Sequence, residues 1–144
     1  MFTTAKDDGL IPYVLTQILD ACVNGITLSD PDLPDNPIVY ANKVFEEMSG
    51  YSQDEIVGRN CRFLQGDDRD QKALATIRAA LANKEACVVT LRNYRKNGEL
   101  FLNRLSIRPL VDREGTVIYY LGVQYDMDHP PGTSDEGADQ VSFA

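Results

Sequence analysis

The sequence predicts an α+β fold, a five-stranded antiparallel sheet with a group of short helices between its second and third strands. Two observations carry this. Apolar residues recur with helical spacing between Asn42 and Ala82, and from Ala86 to Asp126 the period drops to 2. The last three alternating runs are joined by Asn97-Gly98 and by Asp112-Arg113-Glu114-Gly115, turn-forming links short enough to imply an antiparallel meander.

Each element has its own signal. Leu10, Ile11, Val14, Leu15, Ile18, Leu19 and Cys22 fall on one face of an amphipathic helix, with Pro12 tolerable in its first turn and Asn24-Gly25 at its end. Ile26 to Asp30 reads as a strand, a Pro-rich turn runs from Pro31 to Pro37, and Ile38 to Ala41 is the second strand. Val44, Phe45 and Met48 share a helical face that Gly50 terminates, and Ser52-x-x-Glu55 is a capping box for a short helix. The longest helix of this group spans Asp70 to Ala82, with Leu74, Ile77 and Leu81 as its buried stripe. Strands at Ala86 to Lys96, Leu100 to Val111 and Thr116 to Asp126 complete the sheet. The expected division is 1–25 as an N-terminal cap, 26–126 as the core and 127–144 as a flexible acidic tail.

With 144 residues, 43% of them apolar, the chain has room for one ordinary domain. Its net charge of −8 repels phosphate backbones and argues against direct nucleic-acid binding. Five acidic residues and no basic one lie from Asp126 onward, so the 17 acidic and 14 basic residues before them are nearly balanced. No stretch approaches the ~20 apolar residues of a membrane span. The opening MFTTAKDDGL lacks the features of a secretory signal, and a cytoplasmic protein is expected. The cysteines at 22, 61 and 87 make no C-x-x-C pair and the single His129 lies in the tail, so neither a metal site nor a disulfide framework is expected. Cys22 and Cys87 read as small hydrophobes.

Strand alternation locates the chemistry. Phe101, Asn103, Leu105 and Ile107 share one face, as do Val89, Leu91 and Asn93. A three-residue, glycine-containing loop pairing Lys96 with Leu100 sets Asn93 directly opposite Asn103, whereas a two-residue loop breaks that match. Gln124 shares a face with Ile118, Tyr120 and Gly122, and Gly122 leaves open space beside it. An unpartnered buried amide costs roughly 1 to 3 kcal/mol, so these carboxamides either satisfy one another in a packed core or meet a polar ligand. A flat heteroaromatic with carbonyl and N–H groups on one edge suits the second reading.

Gly58-Arg59-Asn60-Cys61-Arg62-Phe63-Leu64-Gln65-Gly66 lies between two of the short helices. This segment resembles the photoactive-cysteine signature of light-oxygen-voltage domains, the blue-light-sensing branch of the PAS fold. The similarity extends to Leu33 to Ile38, Ser49-Gly50-Tyr51-Ser52, Arg92 to Gly98, Phe101-Leu102-Asn103 and Gly122-Val123-Gln124. The resemblance implies a PAS sheet and helices enclosing a flavin pocket, and a blue-light photoreceptor rather than an enzyme. It matches Cys61 to the thiol that adds reversibly to the flavin C4a carbon, and Gln124 to the amide that reorients when flavin N5 is protonated. Arg62 and Arg78 match the phosphate contacts, Asn60 and Gln65 the ribityl-side and ring-side contacts, and Asn93 and Asn103 the amides at the pyrimidine edge. No insertion of the kind that accommodates FAD follows Gln65, so FMN is the expected cofactor. Arg59, Arg69, Arg92 and Arg95 match no such position and read as solvated surface residues.

Ile26, Leu105, Ile107 and Tyr120 are expected near the ring. Tyr119, Leu121, Val123 and Tyr125, with Leu102 and Val88, form an apolar outer face that needs a cover. The N-terminal helix in cis or a homodimer through that helix and the sheet supplies one, and an unidentified protein receives the signal.

Overall fold

The strands form a five-stranded antiparallel sheet in the order β2-β1-β5-β4-β3. In sequence they are β1 (Gly25–Ser29), β2 (Ile38–Ala41), β3 (Cys87–Tyr94), β4 (Leu100–Val111) and β5 (Val117–Asp126). Helix α1 (Leu10–Asp20) precedes the sheet. Between β2 and β3 come α2 (Lys43–Ser49), α3 (Gln53–Ile56), a 3-10 helix (Cys61–Gln65) and α4 (Ala73–Asn83). This computed structural model describes residues 10–129. The residues expected before Leu10 in the N-terminal cap, and the tail beyond His129, lie outside the described residues.

Side-chain caps start the short helices. The Ser52 hydroxyl accepts from Glu55 N, and the Glu55 carboxylate accepts from Ser52 N at 2.9 Å, which closes the expected capping box. Asn42 caps α2 through Oδ1, which accepts from Phe45 N and Ile26 N, while its Nδ2 donates to Leu19 O and Asn24 O. One fully buried carboxamide therefore ties together α1, β1 and α2, with both its oxygen and its nitrogen engaged.

Two apolar clusters fill the inner side of the sheet. Phe101 packs with Ile38, Phe45, Met48, Ile56 and Leu64. Leu91, Leu105, Ile107 and Tyr120 pack with the α4 stripe Leu74, Ile77 and Leu81. On the outer side Leu28, Val39, Tyr40 and Tyr119 bury one another, with Leu19 and Leu121 packed against them. Val88 and Leu102 stay exposed there, as do Tyr13, Val14, Leu15 and Ile18 on α1.

Four expectations are corrected. The hairpin loop does have three residues, but it pairs Arg95 with Glu99: Arg95 N donates to Glu99 O, and Gly98 at φ +91° donates to Arg95 O. That left-handed residue is what glycine supplies in a loop of this length. The register then puts Asn93 opposite Phe101 and Asn103 opposite Leu91, so the two asparagines are diagonal neighbours. Second, an irregularity near the start of β5 pairs Val111 with Val117 and leaves Ile118 extra. Val117 turns inward, and Ile118 packs on the outer cluster rather than beside Tyr120. Third, Ile26 pairs with Val123 and shares its outward face, while its neighbour Thr27 takes the inward position. Fourth, α4 starts at Ala73 rather than Asp70, because Asp68, Asp70 and Gln71 are drawn into bonds with β3.

Candidate functional site

A cavity of about 300 Å³ lies between the inner sheet face and the helices. Three strands deliver the carboxamides to it. Asn93, Asn103 and Gln124 are each about 98% buried, and all three line the cavity. Asn103 Nδ2 donates to Asn93 Oδ1 at 2.9 Å, and Asn93 Nδ2 donates to Arg92 O at 3.0 Å. The Asn103 Oδ1 is buried with no hydrogen-bond partner. Mutual pairing thus satisfies part of the set and leaves one acceptor facing inward, in contrast to the fully engaged Asn42.

Gln124 Nε2 donates to Thr27 Oγ1 at 3.3 Å. A side chain on Gly122 could not coexist with that arrangement: a Cβ there would stand 2.5 Å from Thr27 Oγ1 and 3.2 Å from Gln124 Nε2. The space read from the sequence is therefore filled by this amide and hydroxyl. Thr27 was missed because strand phase was set one residue off; alternation counted back from Gln124 through its register partner would have found it.

The helical side brings the sulfur and the cations. Asn60 starts the 3-10 helix, its Oδ1 accepting from Arg62 N at 3.0 Å and its Nδ2 donating to Asp35 O at 2.7 Å. Cys61, the first residue of that turn, lines the cavity and keeps accessible surface there. Desolvation around the sulfur pushes its thiol pKa up, outweighing the pull of Arg62, which favours the neutral thiol. Gln65, buried, also lines the cavity. Arg62, Arg69 and Arg78 line it from an exposed position, which places cations where the cavity meets solvent. Arg62 also pairs with the Asp35 carboxylate.

All eight residues singled out from the sequence therefore converge on one cavity. Arg69, read from the sequence as a solvated surface residue, joins them while staying exposed. Two other arginines are less solvated than expected. Arg95 is held by Asp126, Glu99 and Met48 O, with its guanidinium 4.3 Å above the Phe101 ring, and Arg92 pairs with Asp68. Arg59 remains exposed and lies over Tyr51 and Phe63. Cys22 and Cys87 are half-buried. Of the residues near the expected ring site, Leu105, Ile107 and Tyr120 line the cavity and Ile26 does not. Among the described residues no acidic, His or Cys group is arranged to hold a metal, and no helix is long and apolar enough to cross a membrane.

Comparison with known proteins places this geometry. A PAS domain family model matches residues 23–129. A blue-light photoreceptor of Listeria innocua is 41% identical over 114 residues, which are 79% of this chain and 45% of that protein. The chain thus spans less than half the length of that relative. A solved structure from work on a flavin analogue and the light-oxygen-voltage domain mechanism aligns with a TM-score of 0.74 at 44% identity, covering 89% of this chain and 90% of that one. The light-oxygen-voltage domain of a blue-light-activated histidine kinase from Erythrobacter litoralis aligns with a TM-score of 0.69 at 42% identity, covering 74% of this chain and 97% of that one. The inward carboxamides, the cysteine beside them and these matches together make the chain a light-oxygen-voltage domain of the PAS family.

Proposed function

We propose that this chain is a blue-light photoreceptor that holds FMN in the cavity and uses Cys61 as its reactive thiol. The observation that carries the reading is the meeting of the Cys61 side chain with a buried unpartnered acceptor, Asn103 Oδ1, in one largely apolar cavity. The residues fit the ligand. Leu91, Leu105 and Ile107 supply an apolar wall for a flat ring, and Asn103 Oδ1, paired through its Nδ2 with Asn93, would accept from a ring N–H. Arg62 and Arg78 suit a phosphate, since a guanidinium offers it paired donors. Asn60 acts mainly by holding the turn that presents Cys61, because both ends of its amide are engaged, and Gln65, buried on the cavity wall, would meet the bound ring.

When bound, the flavin supplies a blue-light-absorbing ring whose carbon C4a, once excited, can take a sulfur reversibly. Cys61 would supply that sulfur and, as the S–C bond forms, would give its S–H proton to the ring. Gln124, paired with the Thr27 hydroxyl, would be the side chain that responds to a change in the ring's protonation and carries it to β5. The outer face of β5, with exposed Val88 and Leu102 nearby, and the exposed apolar side of α1 are the surfaces through which a second copy of the chain binds and a downstream protein is reached.

The test is an absorption spectrum of the purified chain before and after a blue flash, with Cys61→Ala alongside. A structured flavin band that bleaches and recovers in the wild type, and stays fixed in the variant, is the expected result. A colourless chain that cannot be reconstituted with FMN contradicts the proposal.

A further inference from the structure

Residues 66–72 connect the 3-10 helix to α4 without regular secondary structure. Both neighbours are cavity walls, and Arg69 within the segment lines the cavity while remaining exposed. Through Arg69 the segment stands at a point where the cavity wall meets solvent. Its hydrogen bonds to the sheet all run through side chains. Arg92 Nε and Nη2 donate to the two oxygens of Asp68 at 2.6 and 2.7 Å, a bidentate pair, and the Tyr94 hydroxyl donates to Asp68 Oδ2 at 2.7 Å. Arg92 Nη2 also donates to Asp70 O at 3.2 Å. Gln71 completes the attachment: its Oε1 accepts from Arg92 N at 2.8 Å and its Nε2 donates to Arg92 O at 3.0 Å. Because β3 is a sheet edge, the amide of Gln71 stands in for one residue of a missing strand.

A segment tied to the sheet only through side chains can lift from it without breaking a backbone ladder. We propose that residues 66–72 form a strap over the opening of the cavity, and that the Asp68–Arg92–Tyr94 clasp sets how fast a flavin phosphate enters and leaves. This rests on the FMN-binding reading above and assigns Asp68, Arg92 and Tyr94 as positioning residues that also hold Arg69 in place. Asp68, its carboxyl pushed down to about 2 by Arg92 and Tyr94, stays ionised at any ordinary pH, so the clasp is permanently armed and opens by fluctuation.

The experiment compares wild type, Asp68→Asn, Arg92→Gln and the double variant, with Tyr94→Phe as a milder lesion that leaves the ion pair. FMN entry into flavin-free protein and FMN release on dilution are followed by flavin fluorescence, and hydrogen exchange is measured on the flavin-free chain. The clasp predicts that entry and release both accelerate, by about tenfold in each single variant, and that the double variant adds little to either. Exchange rises in residues 66–72 and not in β4 or β5, and Tyr94→Phe shows the same changes at smaller amplitude. Faster release with unchanged entry overturns the strap, since that is what loss of an ordinary binding contact does. Rates within twofold of wild type overturn it as well. A wild-type chain that takes up no FMN overturns the cofactor reading and the strap with it, whereas uptake with unaltered rates overturns the strap alone.

Discussion

The two walls of the cavity are built by different means. On the sheet wall, Asn93, Asn103 and Gln124 ride on strands whose ladder fixes their direction, and the core residues behind them are fully buried. On the helical wall, Cys61, Arg62 and Arg69 ride on a single 3-10 turn and a loop, held by individual side chains such as Asn60, Asp68 and Gln71. The difference teaches a division of labour. The sheet wall presents a preset hydrogen-bonding edge, and the proposed strap makes the helical wall the one that yields to admit a ligand.

Removing the sheet wall's support should have the largest effect. Phe101→Ala empties a fully buried site shared by both walls and is expected to cost about 3 to 5 kcal/mol in denaturant unfolding. Gly122→Ala comes next. The added methyl must displace Thr27 Oγ1 or Gln124 Nε2, at a cost of about 1 to 3 kcal/mol, and FMN affinity measured by fluorescence should fall at least tenfold.

A pair of asparagines sharpens the contrast between scaffold and site. Asn42→Ala strips a carboxamide with four partners and is expected to cost the flavin-free chain about 2 kcal/mol or more. Asn103→Ala removes a group already short of one partner, so the flavin-free chain should lose less than about 1 kcal/mol, the main loss appearing in FMN affinity. Equal stability losses would mean that Asn103 is scaffold after all.

The smallest effect is an acid one on the helical wall. The Asp68 carboxyl is depressed from 3.8 to about 2 in the folded chain, so its contribution is fully present above pH 4 and is lost as pH falls toward 2. Melting temperatures of Asp68→Asn should therefore converge on those of wild type at the acid end and fall below them above pH 4.

How much of this was legible in the sequence follows the same division. Strand alternation found Asn93, Asn103 and Gln124 because side-chain direction on a strand is fixed by a period of 2. It failed where a local irregularity resets the count, as at Ile118, and where the phase of a strand was set one residue off, as at Ile26 and Thr27. The hairpin loop length was readable and its position was not, since a three-residue loop can hold Gly98 in its middle or at its end. On the helical wall the signature around Cys61 carried the assignment by resemblance. The Asp68–Arg92 clasp left no periodic trace, because it joins a loop to an edge strand 24 residues away.

The central claim, that Cys61 is a protonated thiol poised to bond a flavin under blue light, is tested most directly by light-minus-dark infrared spectroscopy in the S–H stretching region. The account predicts one S–H band lost on illumination and restored in the dark, absent from Cys61→Ala even though Cys22 and Cys87 remain. A flavin-containing chain whose S–H bands do not change under blue light contradicts it.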